Sequence, residues 1–408
     1  MKIIIRLGST FAVIMLVVAA YVVAGFLVAP VYRFAPAAPF SGEHIYNPYD
    51  GVGDSTHWRR ANFHAHTYLR FGLTYGAKQP AEVVKDYRSY GYEIIGLSNY
   101  HTITRYEPAE REEYNIPLYE HGYNPLLFHQ LVFGRSGLTH FDIPLPLFTS
   151  QKQCVLNRVA GNADAVCINH PNFTRIFPPH SMNRLQGYRL IEAETGMASS
   201  AVYWDEGLSA GRASFCLSGD DSHNTDRPHD IATDMNFIAS RSTRYADILE
   251  ALLAGRHYAM KIPGFGDNPD TGAKREFNRN LPRVERINLS GDTIRLLFSE
   301  SADEIIFTGQ GGTVKHTEKN APCAEYIFGI SDTYIRVTAA FPGGAHIFLN
   351  PFFRYSGDDP FALPAPQVRI PATIFKDMVA GTALAGILWL IYRLIKPKNR
   401  YGKSKRQA

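Results

Sequence analysis

Cysteine is scarce in this chain and never clustered. The four thiols in 408 residues, Cys154, Cys167, Cys216 and Cys323, form no C-x-x-C step, which argues against a thiolate metal site. They read as buried free thiols, and the three possible disulfide pairings stay open. Low-complexity tracts and internal repeats are absent, so the chain is neither a disordered tether nor a solenoid. Excess positive charge is missing from the body. Of 42 basic residues, nine lie before Leu7 or from Arg393 onward, leaving 33 against 38 acidic residues between. A mildly acidic body does not fit a nucleic-acid partner.

Charge of either sign is absent from Leu7 to Tyr32. The run FAVIMLVVAAYVVAGFLV is long enough to cross a hydrocarbon core of about 30 Å as a helix. Lys2 and Arg6 precede it without an acid, which predicts a cytoplasmic N-terminus and an exported body. A cleaved export signal, cut near Ala35-Pro36-Ala37, is the alternative and exports the body as well. Near the other end, Met378 to Tyr392 (MVAGTALAGILWLIY) forms a second apolar helix candidate, followed by the basic KPKNRYGKSKRQ. This order predicts a second membrane span with a cytoplasmic tail, and an amphipathic or buried terminal helix is the competing reading.

Between the ends, strand and helix alternate. ANFHAH, YEIIGLS, DAVCIN, YRLIEAET, RASFCLSG and MNFIAS read as strands; PAEVVKDYRSYG, QKQCVLNRVAGN, SSAVYWDEGLSAG and YADILEALLAG read as helices. Such alternation predicts a parallel α/β barrel. After Pro263 short alternating strands without helical periods predict a β-sandwich. The expected organisation is a cytoplasmic stub and transmembrane helix over 1–33, a barrel over 58–262 and a sandwich over 263–356. A Pro-rich linker over 357–373, a transmembrane helix over 374–395 and a basic cytoplasmic tail over 396–408 complete it.

Seven candidate metal ligands lie where short apolar strands run out: His64, His66, His101, Glu120, His170, Asp221 and His223. Residues i and i+2 of a strand share a side, so His64 with His66, and Asp221 with His223, can each clasp one ion. Glu120 can bridge two ions, and mixed imidazole and carboxylate ligands suit Zn, Mn or Fe. Two such ions would hold a hydroxide at neutral pH and polarise a phosphoryl oxygen. Arg175 is a candidate for holding a substrate anion, with a surface cation as the alternative. Glu192 and Glu194 share a face and are candidates for proton transfer or for orienting a histidine, or are barrel residues satisfied by hydrogen bonds. Asp220 reads as support for Asp221. The loop histidines His121, His129, His140, His180 and His229 either line the mouth or are plain surface residues.

The ordered set His64-Ala65-His66-Thr67, Asn169-His170-Pro171 and Gly219-Asp220-Asp221-Ser222-His223 resembles the motifs of the PHP (polymerase and histidinol phosphatase) superfamily over residues 60 to about 260. The ALLAGRHYAM helix and the trailing strands ending in NPFF resemble its carbaryl-hydrolase-like branch. The resemblance implies a distorted seven-stranded (β/α)7 TIM-like barrel whose two or three divalent ions hydrolyse phosphoesters, with His64, His66, Glu120, His170, Asp221 and His223 on metals. Two departures stand out. Asn99 replaces the family's aspartate, with His101 one position late, and Tyr68-Leu69-Arg70-Phe71-Gly72 replaces a polar stretch; both favour two ions over three. The expected function is a membrane-anchored phosphoesterase acting on a small-molecule or lipid-like ester. Carbamate or carboxyl-ester cleavage, or a catalytically weak binding module, are the alternatives.

Overall fold

The computed structural model describes residues 2–53, 56–68, 76–134, 137–173, 177–196, 198–264 and 271–396. Helix α1 (Lys2–Leu27) leads through β1 (Tyr32–Arg33) and β2 (His44–Tyr46) to β3 (Trp58–Asn62), α2 (Pro80–Ser89), β4 (Ile94–Ile95), β5 (Leu118–His121) and β6 (Gln130–Phe133). Next come α3 (Thr149–Ala160), β7 (Ala165–Ile168), β8 (Leu190–Thr195), α4 (Ala201–Ser209), β9 (Phe215–Gly219) and β10 (Asp234–Ala239). The remainder is α5 (Tyr245–Ala254), β11 (His257–Lys261), α6 (Thr271–Arg279), β12 (Val284–Ser290), β13 (Thr293–Gly309), β14 (Thr313–Ile327), β15 (Tyr334–Ala340), β16 (His346–Tyr355), β17 (Gln367–Val368) and α7 (Ile370–Ile395).

Local chemistry sets several of these boundaries. Pro80 opens α2, where its missing N–H costs nothing, and Glu82 Oε2 accepts the Gln79 N–H at 3.0 Å. Helix α5 stops at Gly255, whose φ of +74° turns the chain into β11. In β4, Ile94 and Ile95 enter different cores because successive strand side chains alternate.

The strands form a mixed parallel and antiparallel pattern where the alternation predicts a parallel α/β barrel. Five strands run in the order β5-β6-β7-β8-β9, and ten more form a sheet through β12-β13-β15-β16-β11-β10-β3-β4, with β14 on β13 and β2 on β16. Strands β7, β8 and β9 are mutually parallel, as are β3 and β4, because each connection is long enough for a crossover. Strand β6 is antiparallel to both β5 and β7, since only a short loop separates it from β5. Two isolated parallel bridges, Ala65 with Ser222 and Tyr100 with Glu120, join the two sheets. Strands expected as a sandwich continue the larger sheet: β16 pairs with β11, placing Leu349 opposite Tyr258.

A buried ion pair ties this region to α4. Asp205 receives Arg336 Nε at 2.7 Å and Nη2 at 2.5 Å, with Tyr334 OH at 3.0 Å. At the termini, α1 and α7 pack together, and Lys376 Nζ donates to the carbonyls of Phe26 and, at 2.7 Å, Ala29. The segments Gly8–Leu27 and Ile370–Ile395 are long and apolar enough to cross a membrane, and only 6% of each window is buried.

Candidate metal centre

Beyond Asn62 the backbone of β3 runs on through the H-x-H. His66 N–H donates to Ser222 O at 2.8 Å, which holds this extension against the one leaving β9. Alternation sends His64 and His66 one way while Phe63 and Ala65 enter apolar cores. Gly219 is required by close approach: a Cβ there would lie 2.5 Å from Glu192 Oε1 and 2.7 Å from His64 Cβ. His170 and Asp221 adopt positive φ, +23° and +48°, at a cost of about 1–3 kcal/mol each. Asp220 anchors the second of these turns. Its Oδ2 accepts Tyr87 OH and Ala232 N–H at 2.8 Å, and its Oδ1 accepts three donors from Thr233 and Asp234 at 2.9 Å. Asp220 therefore points away from Asp221, as its supporting role requires.

Glu120, fully buried in β5, joins two groups of candidate ligands. Its Oε2 lies 3.3 Å from His64 Nε2 and 3.2 Å from His66 Nε2. Asp221 Oδ1 closes that group, 3.1 Å from His64 Nε2 and 3.2 Å from His66 Nε2. The other oxygen, Oε1, lies 3.1 Å from His129 Nδ1, 3.5 Å from His170 Nε2 and 3.1 Å from Asn169 Nδ2. Within each group the ligand atoms are all within 4.8 Å of one another.

This donor set fits divalent ions. Atoms at about 2.0–2.1 Å from a tetrahedral ion stand roughly 3.3–3.4 Å apart, close to the spacings in the first group. His64 Nδ1 lies 2.8 Å from Glu192 Oε1, so its proton resides there and the Nε2 lone pair faces Glu120 and Asp221. A lone pair aimed at two carboxylates is repulsive unless a proton or cation lies between them. In the protein alone a proton takes that place. Burial opposes charging of His64, but Asp221, Glu192 and Glu120 outweigh it and hold its pKa well above the usual histidine range. Burial likewise opposes ionisation of Glu120 and Asp221, yet His64 and the neighbouring imidazoles hold both well below the usual carboxylate range.

The remaining sequence candidates divide. His223 Nε2 stands 3.5 Å from Asp221 Oδ1, its ring stacked on His66 at 4.4 Å and its side chain 42% exposed, which makes it the solvent edge of the site. His101 is outside both groups. Its Nδ1 faces Thr139 O at 3.1 Å and its Nε2 accepts Gly122 N–H at 3.2 Å, so both nitrogens are committed to backbone. Burial, then His121, push its pKa down to about 4. Glu192 orients His64 and also accepts His170 N–H at 3.1 Å. Glu194 faces elsewhere, toward Ser199 Oγ at 2.5 Å and Lys261 Nζ at 3.6 Å, because the β8–β9 register slips between the two glutamates. Arg175 lies outside the described residues.

Two residues of the site were not among the sequence's candidate ligands: His129, read only as a loop histidine at the mouth or a plain surface residue, and Tyr100. His129 immediately precedes β6, and an antiparallel strand presents its first residue at the rim where its parallel neighbours present their last; the apolar QLVF after it was the available signal. Tyr100 stacks on His66 at 5.2 Å and places its hydroxyl 3.2 Å from His129 Nδ1. Asn99 is fully engaged as an amide: Oδ1 accepts Thr67 N–H at 2.8 Å, and Nδ2 donates to Thr67 Oγ1 and Thr104 Oγ1, both at 2.7 Å. A carboxylate cannot donate, so asparagine suits this position and does not face the metal groups.

No family model matches the chain, and no curated protein matches it. Among solved structures it is similar to a two-domain protein from Bacteroides vulgatus ATCC 8482 described as containing a predicted PHP-like metal-dependent phosphoesterase. The identity is 14%, the match spans 79% of this chain and 99% of that one, and the TM-score is 0.38, too low to bear on activity.

Proposed function

We propose that this chain is a metal-dependent hydrolase of the PHP type that cleaves a phosphoester at a pair of divalent ions. Glu120 carries the reading: one buried carboxylate presents its two oxygens to separate sets of imidazoles, as a ligand bridging two ions does. His64, His66 and Asp221 would complete one shell, and His129 and His170 the other, with His223 at the open edge. Nitrogen and oxygen donors without sulfur suit Zn, Mn or Fe. When bound, such a pair supplies Lewis acidity toward a phosphoryl oxygen and lowers the pKa of a bound water to about 7. Two adjacent cations favour a substrate whose charge is spread over several oxygens, hence a phosphoester over a carbamate or carboxyl ester.

The protein's own residues orient and exclude. Glu192 fixes the His64 tautomer and, through His170 N–H, ties the two groups into one rigid unit. Tyr100 stays a neutral phenol because burial, then Glu120 and Asp221, push its pKa far up, leaving a hydroxyl able to donate beside the second group. We read β3 to β9 as a distorted seven-stranded barrel, supported by the two bridges that link the sheets beside the site. We read α1 and α7 as membrane spans with both termini cytoplasmic, supported by their length, their exposed apolar side chains and their flanking basic residues.

The test uses the detergent-purified full chain, with bound metal measured by elemental analysis. Turnover is followed on a phosphomonoester, a phosphodiester and a carboxyl ester, beside His64→Ala with His66→Ala. The expected result is two ions per chain and phosphoester turnover lost in the double variant. Bound metal without turnover of any substrate would make this a binding module. Turnover surviving the double substitution would remove the site assignment.

A further inference from the structure

A cavity of about 490 Å³ lies at the end of the strand bundle away from the metal centre. Ala165 opens β7, Arg189 immediately precedes β8 and Ala213 lies just before β9, so the cavity sits at the N-terminal ends of strands whose other ends lead to His170 and Asp221. Four polar atoms of its lining are buried without a hydrogen-bond partner among the described residues: Arg189 Nη1, Arg212 Nε, Tyr188 OH and Gln186 Nε2. Three of these are cationic or amide N–H donors, and the phenol can donate as well.

Among the described residues neither arginine forms an ion pair, and the nearby Asp359 charge acts on Arg189 without contact at ion-pair distance. Arg212, only 3% exposed, donates through Nη2 to the carbonyls of Ala35 at 3.2 Å and Asn183 at 3.1 Å. Arg189 lies 3.5 Å from the ring centre of Phe361. Both carboxylates of the lining are engaged elsewhere. Asp164 accepts Tyr245 OH and Asp359 accepts Phe361 N–H, each at 2.9 Å, and neither forms an ion pair with Arg189 or Arg212 among the described residues. Burial pushes Arg189 down to about 10, opposed by Tyr46 and Asp359, and lowers Arg212 as well. Leaving buried charged donors unsatisfied is costly, and a planar guanidinium matches the oxygens of a phosphate.

The walls indicate what is attached to that phosphate. Phe40, Leu253, Phe361 and Leu363 give the cavity an apolar side, and its rim is built by residues 38–41, after α1, and 359–363, before α7. We propose that this cavity binds a phosphate group joined to an apolar body, held by Arg189 and Arg212 with Tyr188 and Gln186 donating to it. A lipid head group and a soluble organophosphate share that chemistry. The site is separate from the metal centre and does not depend on hydrolysis.

Calorimetry on the full chain in a nonionic detergent tests this, with His64→Ala and His66→Ala present throughout to silence phosphate binding at the metals. The titrants are dihexanoyl phosphatidic acid, glycerol 3-phosphate and inorganic phosphate. Saturable binding is expected, weakened at least about tenfold by Arg189→Gln with Arg212→Gln. Binding of the lipid without glycerol 3-phosphate identifies a head-group site, and binding of both a site for soluble organophosphates as well; both support the proposal, whereas inorganic phosphate binding as tightly as the lipid overturns it. No saturable binding of any titrant, or binding undiminished by the arginine substitutions, overturns it. Should the arginine variant fail to fold, hydrogen exchange with phosphatidic acid on the chain with intact arginines decides. Protection at residues 34–41, 186–189 and 356–363 is expected, and protection confined to other segments overturns the proposal.

Discussion

Two buried acid–base clusters in this molecule look alike in composition and differ in completeness. Asp205 and Arg336, joining α4 to β15, satisfy each other through two charge-assisted hydrogen bonds, and Tyr334 occupies one remaining lone pair. Nothing further is needed there. At Glu120 and Asp221 the partners are imidazoles, and His64 presents a lone pair to the carboxylates because Glu192 has claimed its proton. The first cluster closes on itself and is structural. The second closes only when a proton or a cation lies between His64 Nε2 and the carboxylates, and completeness of hydrogen bonding, more than burial or charge, separates them.

The sharpest way to break this comparison is to remove the shared carboxylate. Glu120→Ala is expected to lower phosphoester turnover by about a thousandfold or more and to drop bound metal from two ions per chain toward none. Elemental analysis beside the rate measurement checks it. Two ions retained in Glu120→Ala would mean that Glu120 is no bridge.

Arg336→Ala is expected to act in the opposite sense. Asp205 would be left buried without its guanidinium, at a cost of about 3–5 kcal/mol, while metal content stays at the level of the unaltered chain. Chemical denaturation followed by circular dichroism gives the first quantity and elemental analysis the second. If metal falls in proportion to stability, the two clusters are coupled and the distinction fails.

Glu192→Gln sharpens the comparison from within the metal centre. The amide can keep the fold but no longer has two carboxylate oxygens to accept both His64 Nδ1–H and His170 N–H, and metal affinity is expected to fall about 10–100-fold. Competition with a metallochromic chelator measures it. Unchanged affinity would demote Glu192 to a residue of the barrel wall.

How much of this was legible in sequence depended on whether a residue's role is local. Pro80 before α2, Gly255 after α5 and the H-x-H beyond β3 are read from neighbours in the chain, and each sits where that reading put it. His170 and Asp221 were candidates because they follow short apolar runs that end at one rim, and each lies in one of the two groups that could hold an ion. His129 was left among the loop histidines and not named a ligand because β6 runs the other way, a fact that depends on strand pairing and not on any residue near it. His101 failed for a related reason: its position after β4 is right, but Thr139 and Gly122 from distant segments occupy both ring nitrogens. The sheet that joins β11 to β16 pairs residues some ninety positions apart, so local periodicity could not have displayed it. The guanidiniums of Arg189 and Arg212 belong to the same class, since six separate stretches of the chain build the cavity around them.

Asp234 offers a third case beside the two clusters, with an effect confined to one pH range. It is buried, as Asp205 and Glu120 are, but among the described residues its Oδ1 accepts Ser218 Oγ at 3.0 Å and its Oδ2 has no partner. Burial therefore dominates and pushes its pKa up to about 8; Lys261 opposes the shift and Asp220 adds to it. The folded chain keeps this proton while the unfolded chain, with an aspartate pKa of about 3.9, has released it. Unfolding between these values releases a proton, so the contribution to stability falls as pH rises from about 4 to about 8 and levels off above. Asp234→Asn cannot ionise and should flatten that slope, raising the melting temperature at pH 8 by several degrees while changing it little at pH 4. Thermal melts of both chains across that range decide the matter, because parallel curves would mean that Asp234 is already ionised in the folded protein and that a partner beyond Ser218 satisfies it.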